Sequence, residues 1–159
     1  MSSILPNNQL GYKIFNKNWK CRDVQYKVGE TQIQKGKVKL CENGLHFCPR
    51  ALDCLSYYSL TQENKYAEVE VPEGSEIDSD KTKCATNKLK IIKELSFEEF
   101  SKLCSGVRET WYDNGQIQLR CNYKDGELNG LCESWYENGQ PFESRNYKNG
   151  EREGICESW

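Results

Sequence analysis

Beyond Gly106 the apolar and polar positions of this chain recur with a period of 24 residues. Gly106-Val107-Arg108-Glu109-Thr110-Trp111-Tyr112 returns as Gly130-Leu131-Cys132-Glu133-Ser134-Trp135-Tyr136, and begins again at Gly154-Ile155-Cys156-Glu157-Ser158-Trp159. On such a run Leu131, Glu133 and Trp135 point one way while Cys132, Ser134 and Tyr136 point the other, the alternation of a strand. Asn114-Gly115, Asp125-Gly126, Asn138-Gly139 and Asn149-Gly150 stand between the runs. These dipeptides accept the positive φ that tight hairpin turns require. A fixed period of this size marks a stacked array. The pattern therefore predicts an antiparallel meander over 106–159, with Trp111, Trp135 and Trp159 in one row and Tyr123 with Tyr147 in another.

Residues 1–105 have no such period and read as a small mixed module. Short runs rich in β-branched or aromatic residues predict strands at Gly11–Asn16, Val24–Val28, Lys37–Leu40, Gly44–Cys48, Tyr66–Val71 and Leu89–Leu95. Pro49 suits a first helical turn, and Leu52, Leu55, Tyr58 and Leu60 give a helical apolar face up to Leu60. Ser96-Phe97-Glu98-Glu99 is a capping box that predicts a short helix to Leu103. The fold class is thus α+β: a mixed module over 1–105, then a β-meander over 106–159.

Charge narrows the partners. Residues 1–105 carry 16 Lys/Arg against 14 Asp/Glu, and residues 106–159 carry 6 against 10. A nucleic-acid binder needs a basic stripe to displace counterions from phosphates, and this balance argues against one; the mild basic run of lysines at 81, 83, 88, 90 and 93 reads as a solvated strand face. The acidic repeats argue equally against binding an anionic lipid surface. No run of apolar residues is long enough to span a bilayer. Residues 1–10 hold neither a basic nor an apolar signal region, so a cytoplasmic, non-secreted protein is expected. Nine cysteines, an odd count without a secretory signal, predict reduced thiols. Cys132 and Cys156 share one repeat position, which reads as periodic small side chains rather than a disulfide.

The Trp-Tyr-x-Asn-Gly-Gln of 111–116 and 135–140, the Asn-Tyr-Lys-x-Gly-Glu of 122–127 and 146–151, and the glycines at 106, 130 and 154 resemble the MORN-repeat group. The match is closest to its variant in bacterial antitoxin-like proteins and large DNA viruses. That resemblance implies a scaffolding or docking role without a catalytic residue or cofactor. Residues 11–100 resemble an uncharacterised domain of phage and giant-virus proteins through Gly11–Asn16, Cys21–Gly29, Cys41–Cys48 and Ala85–Ile91. It implies a viral setting, in the host cytoplasm or the virion, possessing no assigned chemistry. A second resemblance, of Gly44–Cys48, Ser56-Tyr57-Tyr58 and Tyr66–Val71 to the strand-helix-strand of ADP-ribosyltransferases, implies an enzyme or an inactive relative as the alternative. That family's His-Gly pair is missing, because the sole histidine already stands within Gly44–Cys48.

The remaining candidates are few. His46 lies among Cys41, Cys48 and Cys54, a permissible zinc set, but no Cys-x2-Cys pair is present and buried thiols beside a hydrogen-bonded histidine explain them better. No nucleophile elbow or phosphate loop accompanies them. The expected function is non-enzymatic: contact with a protein partner, or self-association, through the repeat sheet. Trp111, Trp135, Tyr136, Ile155 and Trp159 are its candidate interface residues.

Overall fold

A computed structural model of the chain describes residues 2–159. It divides into two compact units, the first ending at Phe100 and the second spanning Ser101–Trp159. Strand predominates, and among the described residues no helix is long and apolar enough to cross a membrane.

The first unit holds β1 (Ser3–Ile4), β2 (Gln9–Phe15), β3 (Lys20–Cys21), β4 (Val24–Gln25), β5 (Thr31–Ile33), β6 (Leu45–Phe47), β7 (Lys65–Val71), β8 (Glu76–Ser79), β9 (Cys84–Thr86) and β10 (Lys88–Leu95). Two four-stranded antiparallel sheets result, in the orders β1-β8-β9-β6 and β2-β7-β10-β5. Both contribute to one apolar cluster. Phe15, Ala67, Val69, Val71, Leu89 and Ile91 come from one sheet, and Leu45, Phe47, Ile77 and Cys84 from the other. Alternation in Tyr66–Val71 explains the split, since Ala67, Val69 and Val71 enter this core while Glu68 and Glu70 do not. The opposite side of β7 is covered at Tyr66, whose ring lies 4.6 Å from that of Phe100 on α1 (Phe97–Leu103).

The capping box forms as expected. Glu99 N–H donates to Ser96 Oγ at 3.0 Å, and Ser96 N–H donates to Glu99 Oε2 at 2.8 Å. Elsewhere local bonding overrides the strand pattern. Lys37–Leu40 keeps only a bridge between Lys39 and Asn43. The amides of Val38 and Leu40 donate to the Glu76 and Asp78 carboxylates, and Asn43 Nδ2 donates to the carbonyls of Lys35 and Lys37. These bonds take the groups a neighbouring strand would need. The expected strand at Val24–Val28 stops after Gln25, where Tyr26 N–H turns to Trp19 C=O. The helix expected between Pro49 and Leu60 is a 3₁₀ segment, Ala51–Ser56, with no side-chain cap from Arg50. Arg50 instead forks onto the buried Asp53 carboxylate, both contacts at 2.9 Å.

The second unit is a single five-stranded meander: β11 (Gly106–Trp111), β12 (Ile117–Lys124), β13 (Glu127–Trp135), β14 (Pro141–Lys148) and β15 (Glu151–Ser158). The two-residue turns Asp125-Gly126 and Asn149-Gly150 have positive φ at both positions, as the preferred hairpin turn demands. The period is also written in the backbone. Gly126 N–H donates to Cys104 C=O and Gly150 N–H to Leu128 C=O, each at 2.9 Å.

Register sets the two faces. Arg108, Cys121, Cys132 and Arg145 are successive cross-strand partners and share one face. Glu109, Arg120, Glu133, Ser144 and Glu157 share the other. One expectation fails here: Cys121 and Cys132 are joined as a disulfide. Repeat spacing aligns Cys132 with Cys156, whereas the pairing that matters is between adjacent antiparallel strands and brings the Cα atoms of 121 and 132 to 4.1 Å.

Gly11 marks where the two sheets of the first unit touch. A Cβ there would lie 2.5 Å from Phe47 Cδ2 and 2.9 Å from Cys48 C=O. Gly11→Ala is expected to destabilise the chain by about 1–3 kcal/mol through overpacking, read as a lower urea midpoint. An unchanged midpoint would disprove the close approach.

Candidate functional site

A cavity of about 480 Å³ opens in the first unit. Strand β2 contributes Lys13, the hairpin β3–β4 contributes Cys21 and Arg22, and β6 contributes His46. The 3₁₀ segment and the residues after it contribute Cys54, Tyr57 and Tyr58, and Lys83 precedes β9. No Asp or Glu lines it.

Lys13 is the least expected of these groups. Alternation along β2 directs it to the same side as Phe15, and it is only 4% exposed. Its ammonium donates to His46 C=O and lies 5.5 Å from the centre of the Tyr26 ring and 5.8 Å from that of Phe15. Burial lowers its pKa from the ordinary lysine value, and the thiols of Cys21, Cys54 and Cys48 oppose that shift. Tyr58 OH and Cys21 Sγ are 2.7 Å apart. Burial, followed by that contact, raises the Tyr58 phenol, and burial raises Tyr26 as well.

His46 Nε2 accepts the Cys41 N–H at 3.1 Å. Burial, then the charges of Lys13, Arg22 and Lys83, pushes its pKa down to about 4. The four cysteine and histidine candidates do not converge. Cys48 and Cys54 are buried, Cys41 is exposed with Lys83 Nζ 3.0 Å from its sulfur, and the imidazole is engaged with backbone. Among the described residues no group of three such side chains is arranged to hold a metal ion. Sequence reasoning missed Lys13 because a lysine on a strand ordinarily faces solvent, and Arg22 and Lys83 because they stand outside the strands, where no periodicity assigns a side chain to a site.

The repeat sheet presents a different surface. Among its strand residues only Cys121 is buried. Alternation places Val107, Trp111, Leu131, Trp135 and Ile155 on the face that carries Glu109, Glu133 and Glu157. Val107, Leu131 and Ile155 are exposed, Ile155 at 81%. The Arg120 guanidinium lies 5.7 Å from the Trp135 ring centre on that same face. Tyr136 packs edge-on to Phe142 with ring centres 5.0 Å apart. Trp159 follows β15, is 58% exposed, and donates its N–H to Phe142 C=O. Its carbonyl accepts from Tyr136 OH at 3.0 Å, as the Trp135 carbonyl accepts from Tyr112 OH at 2.8 Å.

Comparison with known families divides the chain similarly. Residues 9–103 match a domain of unknown function, DUF7666. Residues 105–125 and 128–149 match the MORN repeat variant. No curated protein and no solved structure gives a significant match.

The depressed pKa of His46 has a signed consequence for stability. The unfolded imidazole takes up its proton near the ordinary value of 6.5 and the folded one near 4. Folding stability contributed by this group is therefore present above pH 6.5 and is lost as pH falls toward 4. His46→Gln is expected to unfold at a temperature that closes on, or overtakes, that of the native chain across this window. A difference between the two melting temperatures that does not change with pH would contradict the assignment.

Proposed function

We propose, for a chain that belongs to the DUF7666 domain family and ends in repeats of the MORN variant, a non-enzymatic role in protein contact through the repeat sheet. One observation carries this reading. The five-stranded sheet is one layer thick within its own unit, with a single buried strand residue and an apolar row, Val107, Leu131 and Ile155, exposed on one face. Such a surface resembles half of an interface more than a finished core. Trp111 and Trp135 lie on the face of that row, and the exposed rings of Tyr136 and Trp159 add aromatic area to the sheet. Aromatic side chains of this kind supply much of the affinity in protein interfaces.

Strand β15 supports a second mode of contact on the same sheet. Among the described residues it pairs only with β14, and every residue from Glu151 to Ser158 is exposed. An unpaired strand edge accepts a strand from a second copy or from a partner through backbone hydrogen bonds. The acidic balance of 106–159 suits a protein surface better than anionic lipid or nucleic acid. The likeness of residues 11–100 to phage and giant-virus domains supports a scaffold protein of a large DNA virus, acting in the host cytoplasm or the virion.

The ADP-ribosyltransferase-like alternative is not preferred. Gly44, His46, Phe47, Ser56 and Tyr58 do line one cavity. The His-Gly pair that the resemblance calls for is nonetheless missing, and His46 is engaged with the Cys41 amide.

Two outcomes test the reading. Leu131→Asp with Ile155→Asp, and separately deletion of residues 155–159, are expected to weaken self-association in sedimentation, or affinity for a recovered partner, by about tenfold or more, the scale of losing an interface anchor. Association equal to that of the intact chain would remove the basis of the proposal. Incubation with NAD is expected to release no nicotinamide. Release that disappears on His46→Ala or Tyr58→Phe would favour the enzyme instead.

A further inference from the structure

The cavity of the first unit is lined by no residue of the repeats. We propose that it is a binding site for a small organic anion bearing a flat ring, of about the size of a nucleoside monophosphate. Its volume of about 480 Å³ falls within the range of small-molecule sites. Three basic side chains line it, Lys13, Arg22 and Lys83, with no carboxylate among the lining residues.

Lys13 stands deepest. Its ammonium has one carbonyl acceptor, His46 C=O, and two aromatic faces, but the groups around it are thiols and phenols rather than carboxylates. A buried ammonium without a counter-charge is costly, and an anion entering the cavity supplies one. Arg22 stands exposed at the opening and forms no ion pair among the described residues. Its φ of +55° is a conformation that Gly or Asn adopts more easily. The hairpin thus holds a guanidinium at the mouth in a backbone state that an arginine does not prefer. Such departures concentrate where ligands are held.

The walls select the rest of the ligand. Tyr57 and Tyr58 line the cavity beside the ring of Tyr26. Lys83 Nζ lies 4.6 Å from the centre of the Tyr57 ring, so an aromatic face and a positive charge occur together at the opening. Aromatic side chains accept a flat ring by stacking, and cations accept its phosphate or carboxylate. His46 adds no charge near neutral pH, so the lysines and the arginine carry the attraction.

The experiment is calorimetric titration of the full chain at low salt with adenosine 5′-monophosphate, adenosine and inorganic phosphate. The nucleotide is expected to bind with one-to-one stoichiometry and to exceed both fragments in affinity. Lys13→Met and Arg22→Gln are each expected to weaken it by about tenfold or more, the effect of losing a charge-assisted contact. Circular dichroism and thermal unfolding establish that each variant is folded. If Lys13→Met does not fold, Arg22→Gln, at an exposed position, decides alone. No binding of the nucleotide, equal binding of phosphate and nucleotide, or binding that survives substitution in a folded variant overturns the proposal.

Discussion

The close passage of β2 against β6 is the contact on which the first unit depends. These strands belong to different sheets, yet Tyr12 and Cys48 exchange backbone hydrogen bonds of 2.7 and 3.0 Å. Only a residue without a Cβ fits at position 11, against the Phe47 ring and the Cys48 carbonyl. This join carries Lys13 to the His46 carbonyl and closes one side of the cavity. It also sets Phe15 and Phe47 in one apolar cluster, so the core and the cationic cavity share a single origin.

The second unit is stabilised differently. Its stability comes from neighbours along the meander: backbone ladders, two-residue turns with positive φ, and repeated bonds from a tyrosine hydroxyl to the carbonyl 23 residues ahead. Its faces are unlike each other. One carries Arg108, the Cys121–Cys132 bond and Arg145, and the other carries the exposed aliphatic row with its flanking indoles. A single-layer sheet of this kind gains stability whenever another surface covers its apolar side. That gain is the physical basis of the proposed role in contact.

The two units therefore offer different chemistry. The cavity gathers cations, phenols and thiols behind an opening at Arg22, where burial holds Lys13 below and Tyr58 above its ordinary pKa. The repeat face instead sets an exposed aliphatic row beside Glu109, Arg120, Glu133 and Glu157. A chain that docks through one surface and holds an anion in the other would join recognition of a protein to recognition of a small molecule.

Features fixed by local rules were legible from the sequence. The 24-residue period, the Asn-Gly and Asp-Gly turns, the Ser96–Glu99 capping box and the alternation of Tyr66–Val71 each depend on residues close in the chain. The short strands Glu76–Ser79 and Cys84–Thr86 were not legible, because their pairing partners, rather than their composition, make them strands. Tertiary structure alone decided three matters. It opposed Cys121 to Cys132, since register joins adjacent antiparallel strands rather than equivalent repeat positions. It turned Lys37–Leu40 away from a sheet, because carboxylates from β8 capture its amides. And it buried Lys13 beside His46, because a strand's alternation settles which side a residue faces, while only the second sheet settles whether that side meets water or a core.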